Sequence, residues 1–437
     1  MTIQQHRALE SLQSLLRGRS LEELREQVEP KHHELAAKIP SGSEISVERI
    51  TARWNILSAA AASRAELLDE RTEMQAPLYA RNVENFIGTV KVPVGVIGPV
   101  RVNGTHAQGD YYVPLATTEA TLVASYGRGA NLLSAVGGCS AATINEGVAR
   151  SPAFAFNTLY DAGQFVAWVL SALPQITEIV ESTSRYTRLK DTRVSLDGNH
   201  VYLIFDFHTG DAAGQNMVTI ATHAICSFIA RESPVRPSYA FLEANHSGDK
   251  KASAQSFIFG RGRSVTAEVV IPGELVQKVL HTTPEMMARY FTMSAIGGVL
   301  SGTIGVQGHF ANGLAAIYLA CGQDVACVAE SAVGITRLEV NDAGALYATV
   351  SLPNLTVGTV GGGTALPSQR ACLDVLGLAG TGNANAFAEV CAAVVLGGEL
   401  SIVGALVANE FASAHERLAR GEAKVTSAAS SVEGERA

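Results

Sequence analysis

The sequence predicts a mixed α/β protein of the α+β kind, built in three parts, and three observations carry that prediction. Residues 1–84 show helical periodicity with many charges. From Glu84 onward the texture changes to Gly, Pro and Val, which reads as short strands and small-residue helices. Between about 151 and 245 a hairpin pattern flanked by helices interrupts that texture, as a small α+β domain inserted into a larger one would. At 437 residues and 47% hydrophobic, the chain can bury a large core and divide into domains.

In chain order, Leu21-Glu-Glu-Leu-Arg-Glu-Gln-Val and the Ala-rich Ile56-Leu-Ser-Ala-Ala-Ala-Ala-Ser read as helices of an N-terminal region, 1–84. Lys91-Val-Pro-Val-Gly-Val-Ile-Gly-Pro99 reads as extended segments and turns, because its prolines and glycines forbid a helix. Strand-like Tyr111-Tyr-Val-Pro-Leu leads into a helix from Leu122. Residues 85–150 and 246–421 form the large domain, and 151–245 the inserted one. Within the insert, Phe165-Val-Ala-Trp-Val-Leu reads as helix, and Thr192-Arg-Val-Ser-Leu and Val201-Tyr-Leu-Ile-Phe-Asp-Phe as strands about the turn Asp197-Gly-Asn-His. Asn216 to Ala230 is again helical. Short strands and small-residue helices follow from about 252 to 410 and end in a long Ala-rich helix. The polar Ser/Ala/Glu tail, 422–437, is expected to be disordered. No internal repeat of fixed period stands out.

Charge and cysteine usage exclude several classes. Net charge is −8, and the basic residues are scattered rather than blocked, so neither a nucleic-acid nor a membrane-surface footprint appears. The six cysteines have no CxxC or other zinc spacing and read as reduced, buried small hydrophobes; no metal site is expected. Met-Thr-Ile-Gln-Gln-His-Arg has no apolar leader, and no uncharged apolar run reaches about eighteen residues. The expectation is a soluble, cytoplasmic protein.

Against a background of only 17% charged residues, a few ionisable groups stand in apolar or glycine-rich settings. Glu119, in Thr117-Thr-Glu119-Ala, lies between a strand and an apolar helix; it reads either as a helix cap or as a desolvated proton donor. Lys250, in Asp249-Lys250-Lys251, reads as a solvated turn or as an ammonium aimed at a developing oxyanion. Asp324 follows a helix that should end near Gly322, and a cap and a catalytic role both suit it. His415 sits on a late helix-like stretch, as a surface residue or an acid. Two glycine-rich segments, Gly210-Asp211-Ala-Ala-Gly-Gln-Asn216-Met and Val357-Gly-Thr-Val360-Gly361-Gly-Gly-Thr364, allow close approach of a dinucleotide. Neither has the GxGxxG fingerprint, and packing turns explain them as well.

Taken together these segments resemble hydroxymethylglutaryl-CoA reductase, over about residues 84 to 417. The matching motifs are Glu84-Asn-Phe-Ile-Gly with Val92-Pro-Val-Gly-Val-Ile-Gly-Pro99, Ala116-Thr-Thr-Glu119, Ser182-Thr-Ser-Arg185, Gly210 to Met217, Asp249-Lys-Lys251, Cys321-Gly-Gln-Asp324, Gly358 to Thr364 and His415. Eight motifs in order make a chance match untenable, and Thr-Thr-Glu with Asp-Lys-Lys looks like the biosynthetic, eukaryote-type class without its membrane anchor. The resemblance implies a non-Rossmann, ferredoxin-like dinucleotide domain, a central helix in the large domain, a homodimer or higher assembly, and reduction of a thioester to mevalonate by two hydrides from NADPH, without a metal. It implies that Lys250 stabilises the oxygen, Glu119 donates a proton, Asp324 tunes that pair and His415 protonates the departing thiolate. Arg150, Asn312, Asp249 and Lys251 match substrate contacts and Arg128 a CoA phosphate contact. Ser184, Arg185, Asp211, Asn216, Val360 and Gly361 match cofactor contacts, with Arg185 placed for the 2′-phosphate.

The chain departs from the family pattern at Ala213 and Gln215, where methionines are usual, at Gln307 for asparagine and at Asn131 for arginine. Glu243 stands where the biosynthetic class keeps a serine near the substrate carboxylate, and two like charges about 4 Å apart repel by about 4 kcal/mol at an effective dielectric of 20. Reduction of a different acyl-CoA or carrier-bound thioester is therefore the alternative activity. A catalytically silent acyl-CoA-binding protein is the alternative from another class.

Overall fold

The computed structural model describes Glu10, residues 14–57, Ala59 and residues 61–410; His415 and the 422–437 tail lie outside the described residues. The chain separates into two units, Met1–Thr89 and Val90–Ala437.

The first unit is helical, with α1 (Leu21–Val28), α2 (Val47–Ile56), α3 (Ala61–Leu67) and α4 (Glu70–Gln75). Ser20 opens α1 through a capping box with Glu23, and Ser46 and Asp69 cap α2 and α4. The Ala-rich stretch does not continue α2: the helix stops at Ile56, with Leu57 in extended backbone. Arg53 is fully buried, and its guanidinium donates to the carbonyls of Pro40, Phe86 and Gly42. Trp54 Nε1 donates to Ile87 O at 2.9 Å, so α2 ties the 40–42 segment to the 86–87 segment.

The second unit opens with the hairpin β1 (Val94–Gly104) and β2 (Gln108–Ala116), then α5 (Leu122–Ala135) and the long β3 (Cys139–Arg150). Next come β4 (Ala153–Ala155), α6 (Leu159–Ser171), α7 (Leu173–Thr183), the hairpin β5 (Arg188–Asp197) and β6 (His200–His208), α8 (Gln215–Glu232) and β7 (Tyr239–Phe241). The remainder is α9 (Ser256–Phe259), β8 (Gly262–Ile271), α10 (Gly273–Leu280), α11 (Pro284–Ser301), α12 (Phe310–Ala320), α13 (Val328–Ser331), β9 (Ile335–Val340), β10 (Leu346–Leu355), α14 (Pro367–Leu376) and α15 (Ala384–Val407).

β3 joins two sheets. Its residues 140–147 pair antiparallel with β8, while Val148–Arg150 pair with β6 of the other sheet. The order β7-β4-β6-β3-β8-β10-β9 is antiparallel throughout, with β1 parallel to the start of β3 and β5 flanking β6. One apolar core, including Phe154, Phe165, Phe205, Phe207 and Ile225, lies between the β4–β7 sheet and helices α6 to α8. The other gathers around α15, the helix whose Phe387, Val394, Val395 and Leu400 are fully or almost fully buried. α5 crosses α15 backbone to backbone, for a Cβ on Gly129 would sit 1.9 Å from Gly397 O; only glycine permits that approach.

α15 carries two carboxylates into this core. Glu389 accepts from the backbone N–H groups of His106, Ala107 and Thr143 and from the Thr105 hydroxyl. Glu399 accepts from the N–H groups of Gly308 and His309, both at 2.7 Å, and from the Thr336 hydroxyl. Backbone donors replace the lost water, which makes buried carboxylates tolerable and fixes two loops.

Candidate active site

Lys250 lies in the loop between β7 and α9 with φ of +57°, a left-handed conformation that L-residues seldom adopt. Its Nζ is 2.8 Å from Asp324 Oδ2, and that hydrogen bond raises the lysine pKa above its usual value. Asp324 serves both readings at once: Oδ2 meets the ammonium, and Oδ1 accepts from Ala326 N just after α12. In this conformation the Lys250 N–H donates to Glu330 Oε2 at 2.9 Å.

Glu330, on α13, is fully buried and bonded to Arg261 and to the Thr356 hydroxyl. Burial raises its pKa, opposed by the Arg261 guanidinium. Arg261 continues to Asp249 Oδ1 at 3.1 Å, an ion pair that gives that oxygen no aligned hydrogen bond, and to Gln215 Oε1 at 2.8 Å. Asp249 Oδ2 accepts from Arg150 Nη1 at 2.9 Å, and the same Nη1 is 3.4 Å from Glu243 Oε2. Burial works against the charge of Asp249, yet Arg261 and Arg150 outweigh it and hold its pKa below the usual value. The result is a ladder of alternating charge, Glu330–Arg261–Asp249–Arg150–Glu243, with Gln215 accepting from both arginines. Lys251 stands outside it, its Nζ on Asp249 O.

Glu119 ends up differently from its sequence reading. It is exposed rather than desolvated, and Thr121 rather than Glu119 occupies the cap position of α5. Its carboxylate is gripped by the Asn312 amide, whose Nδ2 lies 2.9 and 3.1 Å from the two oxygens. Asn312 is in the first turn of α12, the turn that Glu399 holds through Gly308 and His309; Gln307 Oε1 adds a bond from Phe310 N. Among the described residues, no direct hydrogen bond or ion pair links Glu119–Asn312 with Lys250–Asp324. Arg128, on α5, donates to the Ser401 hydroxyl and carbonyl and lies 3.9 Å from Glu410.

The two glycine-rich segments meet. Ala212 bridges to Val360, and the N–H groups of Thr359 and Val360 donate to Asp211 O. A Cβ on Gly358 would sit 2.5 Å from Ala213 N, so the contact needs glycine. Arg263, nearly buried, ties both segments by donating to Gly210 O and Val357 O at 2.6 Å. The Asp211 carboxylate accepts from Gly382 N and Ala384 N and so caps α15. Arg185 and Asn216 are exposed; the Arg185 guanidinium stacks 4.6 Å above Tyr186, whose N–H donates to Ser184 Oγ.

Sequence reasoning missed Arg261, Arg263, Glu330 and Glu399. The signal that singled out Glu119, a charge in apolar or glycine-rich surroundings, fits Glu399 in Leu-Gly-Gly-Glu-Leu and both arginines of Gly-Arg-Gly-Arg equally well.

A family model described as hydroxymethylglutaryl-coenzyme A reductase matches residues 49–420. A 3-hydroxy-3-methylglutaryl-coenzyme A reductase of Aeropyrum pernix is 42% identical over 401 residues, 90% of this chain and 94% of its own. One from Pyrococcus horikoshii is 44% identical over 352 residues, 78% of this chain and 84% of its own. The fold is similar to a class II enzyme of that name from Streptococcus pneumoniae solved with NADPH, at TM-score 0.62 and 18% identity, covering 83% of this chain and 100% of the other.

Proposed function

Because this chain belongs to the hydroxymethylglutaryl-coenzyme A reductase family, we propose that it reduces 3-hydroxy-3-methylglutaryl-CoA to mevalonate and CoA, with NADPH as the reductant. The observation that carries the reading is the Lys250–Asp324 contact of 2.8 Å, which holds an ammonium in its charged form where a reacting carbonyl oxygen needs a cation. Bound NADPH supplies hydride, once to the thioester and once to the aldehyde. Lys250 stabilises the oxygen that gains charge in each reduction, and Asp324 orients the ammonium. Glu119, held by Asn312, is the proton donor, and His415 protonates the departing thiolate. Arg150, Asp249, Lys251 and Asn312 bind the acyl end, and Arg128 the CoA phosphates.

The chain's own residues suit the cofactor. Gly361, at φ of +73°, has no atom within 4 Å of the place its Cβ would take, so the Val360-Gly361 backbone is open to a flat ring. Ser184, Arg185 and Asn216 are the further contacts; Asp211 acts by holding its loop against α15. We assign residues 151–245 to the cofactor domain and 85–150 with 246–421 to the acyl-CoA domain.

Exposed Met293, Ile296, Val299 and Leu300 on α11 support a homodimer or larger assembly. Small-angle scattering fitting a compact monomer at working concentration would overturn that. A cytoplasmic location belongs to the same reading; α15 is the one helix among the described residues long and apolar enough to cross a membrane, and its apolar surface is mostly buried.

NADPH oxidation measured against a panel of acyl-CoA thioesters tests the activity. Turnover of hydroxymethylglutaryl-CoA is expected. Its failure alongside turnover of another thioester would establish the second reading, which the Glu243–Arg150 contact favours.

A further inference from the structure

Arg150 is 8% exposed and already surrounded: Asp249 and Glu243 share Nη1, Gln215 accepts from Nη2, and Nε is buried with no partner among the described residues. The ladder of which it is part counts three carboxylates, Glu243, Asp249 and Glu330, against two guanidinium groups, Arg150 and Arg261, a net charge of −1.

Glu243 differs from the other two acids. Asp249 and Glu330 bond chiefly to arginine side chains, whereas the two shorter bonds of Glu243 are both to main chain. Its Oε1 accepts from Asn245 N at 2.9 Å and its Oε2 from Ser151 N at 3.1 Å, both shorter than the 3.4 Å contact with Arg150. Asn245 stands at φ of +63°, so the 243–245 turn closes around the carboxylate. Two backbone donors keep the carboxylate in place. An incoming carboxylate therefore meets Arg150 with a fixed negative charge alongside, and the screening is weak because the arginine is buried.

We propose that Glu243 is a specificity-determining residue, a fixed carboxylate that biases the Arg150 pocket against acyl groups ending in an anion relative to those ending in a neutral group. This rests on the reading above that Arg150 faces the acyl end of the thioester. Glu243 acts on recognition of that end and leaves hydride and proton transfer to other residues.

Calorimetric titration of the protein and its Glu243→Gln variant with hydroxymethylglutaryl-CoA and with 3-hydroxybutyryl-CoA tests the proposal. The amide removes the charge and keeps one carbonyl oxygen, an acceptor for one of the two backbone donors. The preference for the anionic over the neutral ligand should rise about tenfold, through tighter binding of the anionic one. An unchanged ratio, or equal weakening of both ligands as expected of a structural brace for Ser151 and Asn245, would overturn it. Glu243→Ser, checked for folding by circular dichroism, carries the same test should the glutamine variant not fold. Binding ratios stand apart from turnover: an unmodified protein that fails to reduce hydroxymethylglutaryl-CoA sinks the functional reading, while the ratio still decides the role of Glu243.

Discussion

The backbone N–H of Lys250 donates to Glu330 Oε2 at 2.9 Å, so a fully buried carboxylate anchors the main chain of a half-exposed lysine. The same carboxylate neutralises Arg261, which is 3% exposed.

Glu330→Ala should therefore cost about 3–5 kcal/mol of folding stability, because it deprives a buried guanidinium of its fully buried partner and leaves it only Asp249 and Gln215. Urea denaturation measures this. A loss under about 1 kcal/mol would show that the existing Asp249 pair is enough for Arg261.

Lys250→Ala should lower kcat by about two to three orders of magnitude, with a smaller effect on substrate binding. The sign of the pH dependence follows from the raised lysine pKa. A lysine whose folded pKa exceeds the unfolded one contributes stability below the unfolded value and loses it as pH rises through the folded value. The ammonium thus persists beyond the ordinary lysine range, and any alkaline limb it causes in kcat lies above that range. Asp324→Asn should move the limb to lower pH; a limb that stays put would remove Lys250 as its source.

Asn312→Ala should reduce kcat at least about tenfold, because it frees a proton donor otherwise held at both oxygens. Asn312→Asp should be worse, with a like charge facing Glu119. Equal, small effects of the two substitutions in steady-state kinetics would separate Glu119 from Asn312.

His415→Gln should impair thioester reduction and largely spare reduction of free mevaldehyde, which has no thiolate to expel. Parallel loss of both reactions in a folded variant would end the leaving-group assignment.

Much of the fold was legible because its signals are local. The β5–β6 hairpin announces itself by two alternating runs about Gly198-Asn199, and α8 by the periodicity after Gly214. The individual charges Lys250 and Asp324 were also legible, since each interrupts an apolar or glycine-rich run. Their partners were not: Glu330 reaches Lys250 across 80 positions, and Glu399 reaches Gly308 across 91. Nothing local marks such pairs, because strand order and helix crossing create them. Glu119 was misjudged on burial for the same reason, as its apolar neighbours pack elsewhere while its carboxylate turns to an amide 193 positions away.

Glu389 and Glu399 also bear on how the chain is made. α15 is 24 residues long and holds an 18-residue stretch of mean hydropathy 2.2, the length and composition of a bilayer-spanning segment. An ionised side chain at the middle of such a segment opposes insertion by about 2.5–3.5 kcal/mol. Glu399 places that opposition inside the apolar stretch, and Glu389 stands ten positions before it in the same helix. Replacing both with leucine would therefore take away the charges that set this segment apart from a bilayer-spanning one, together with the anchors of two loops.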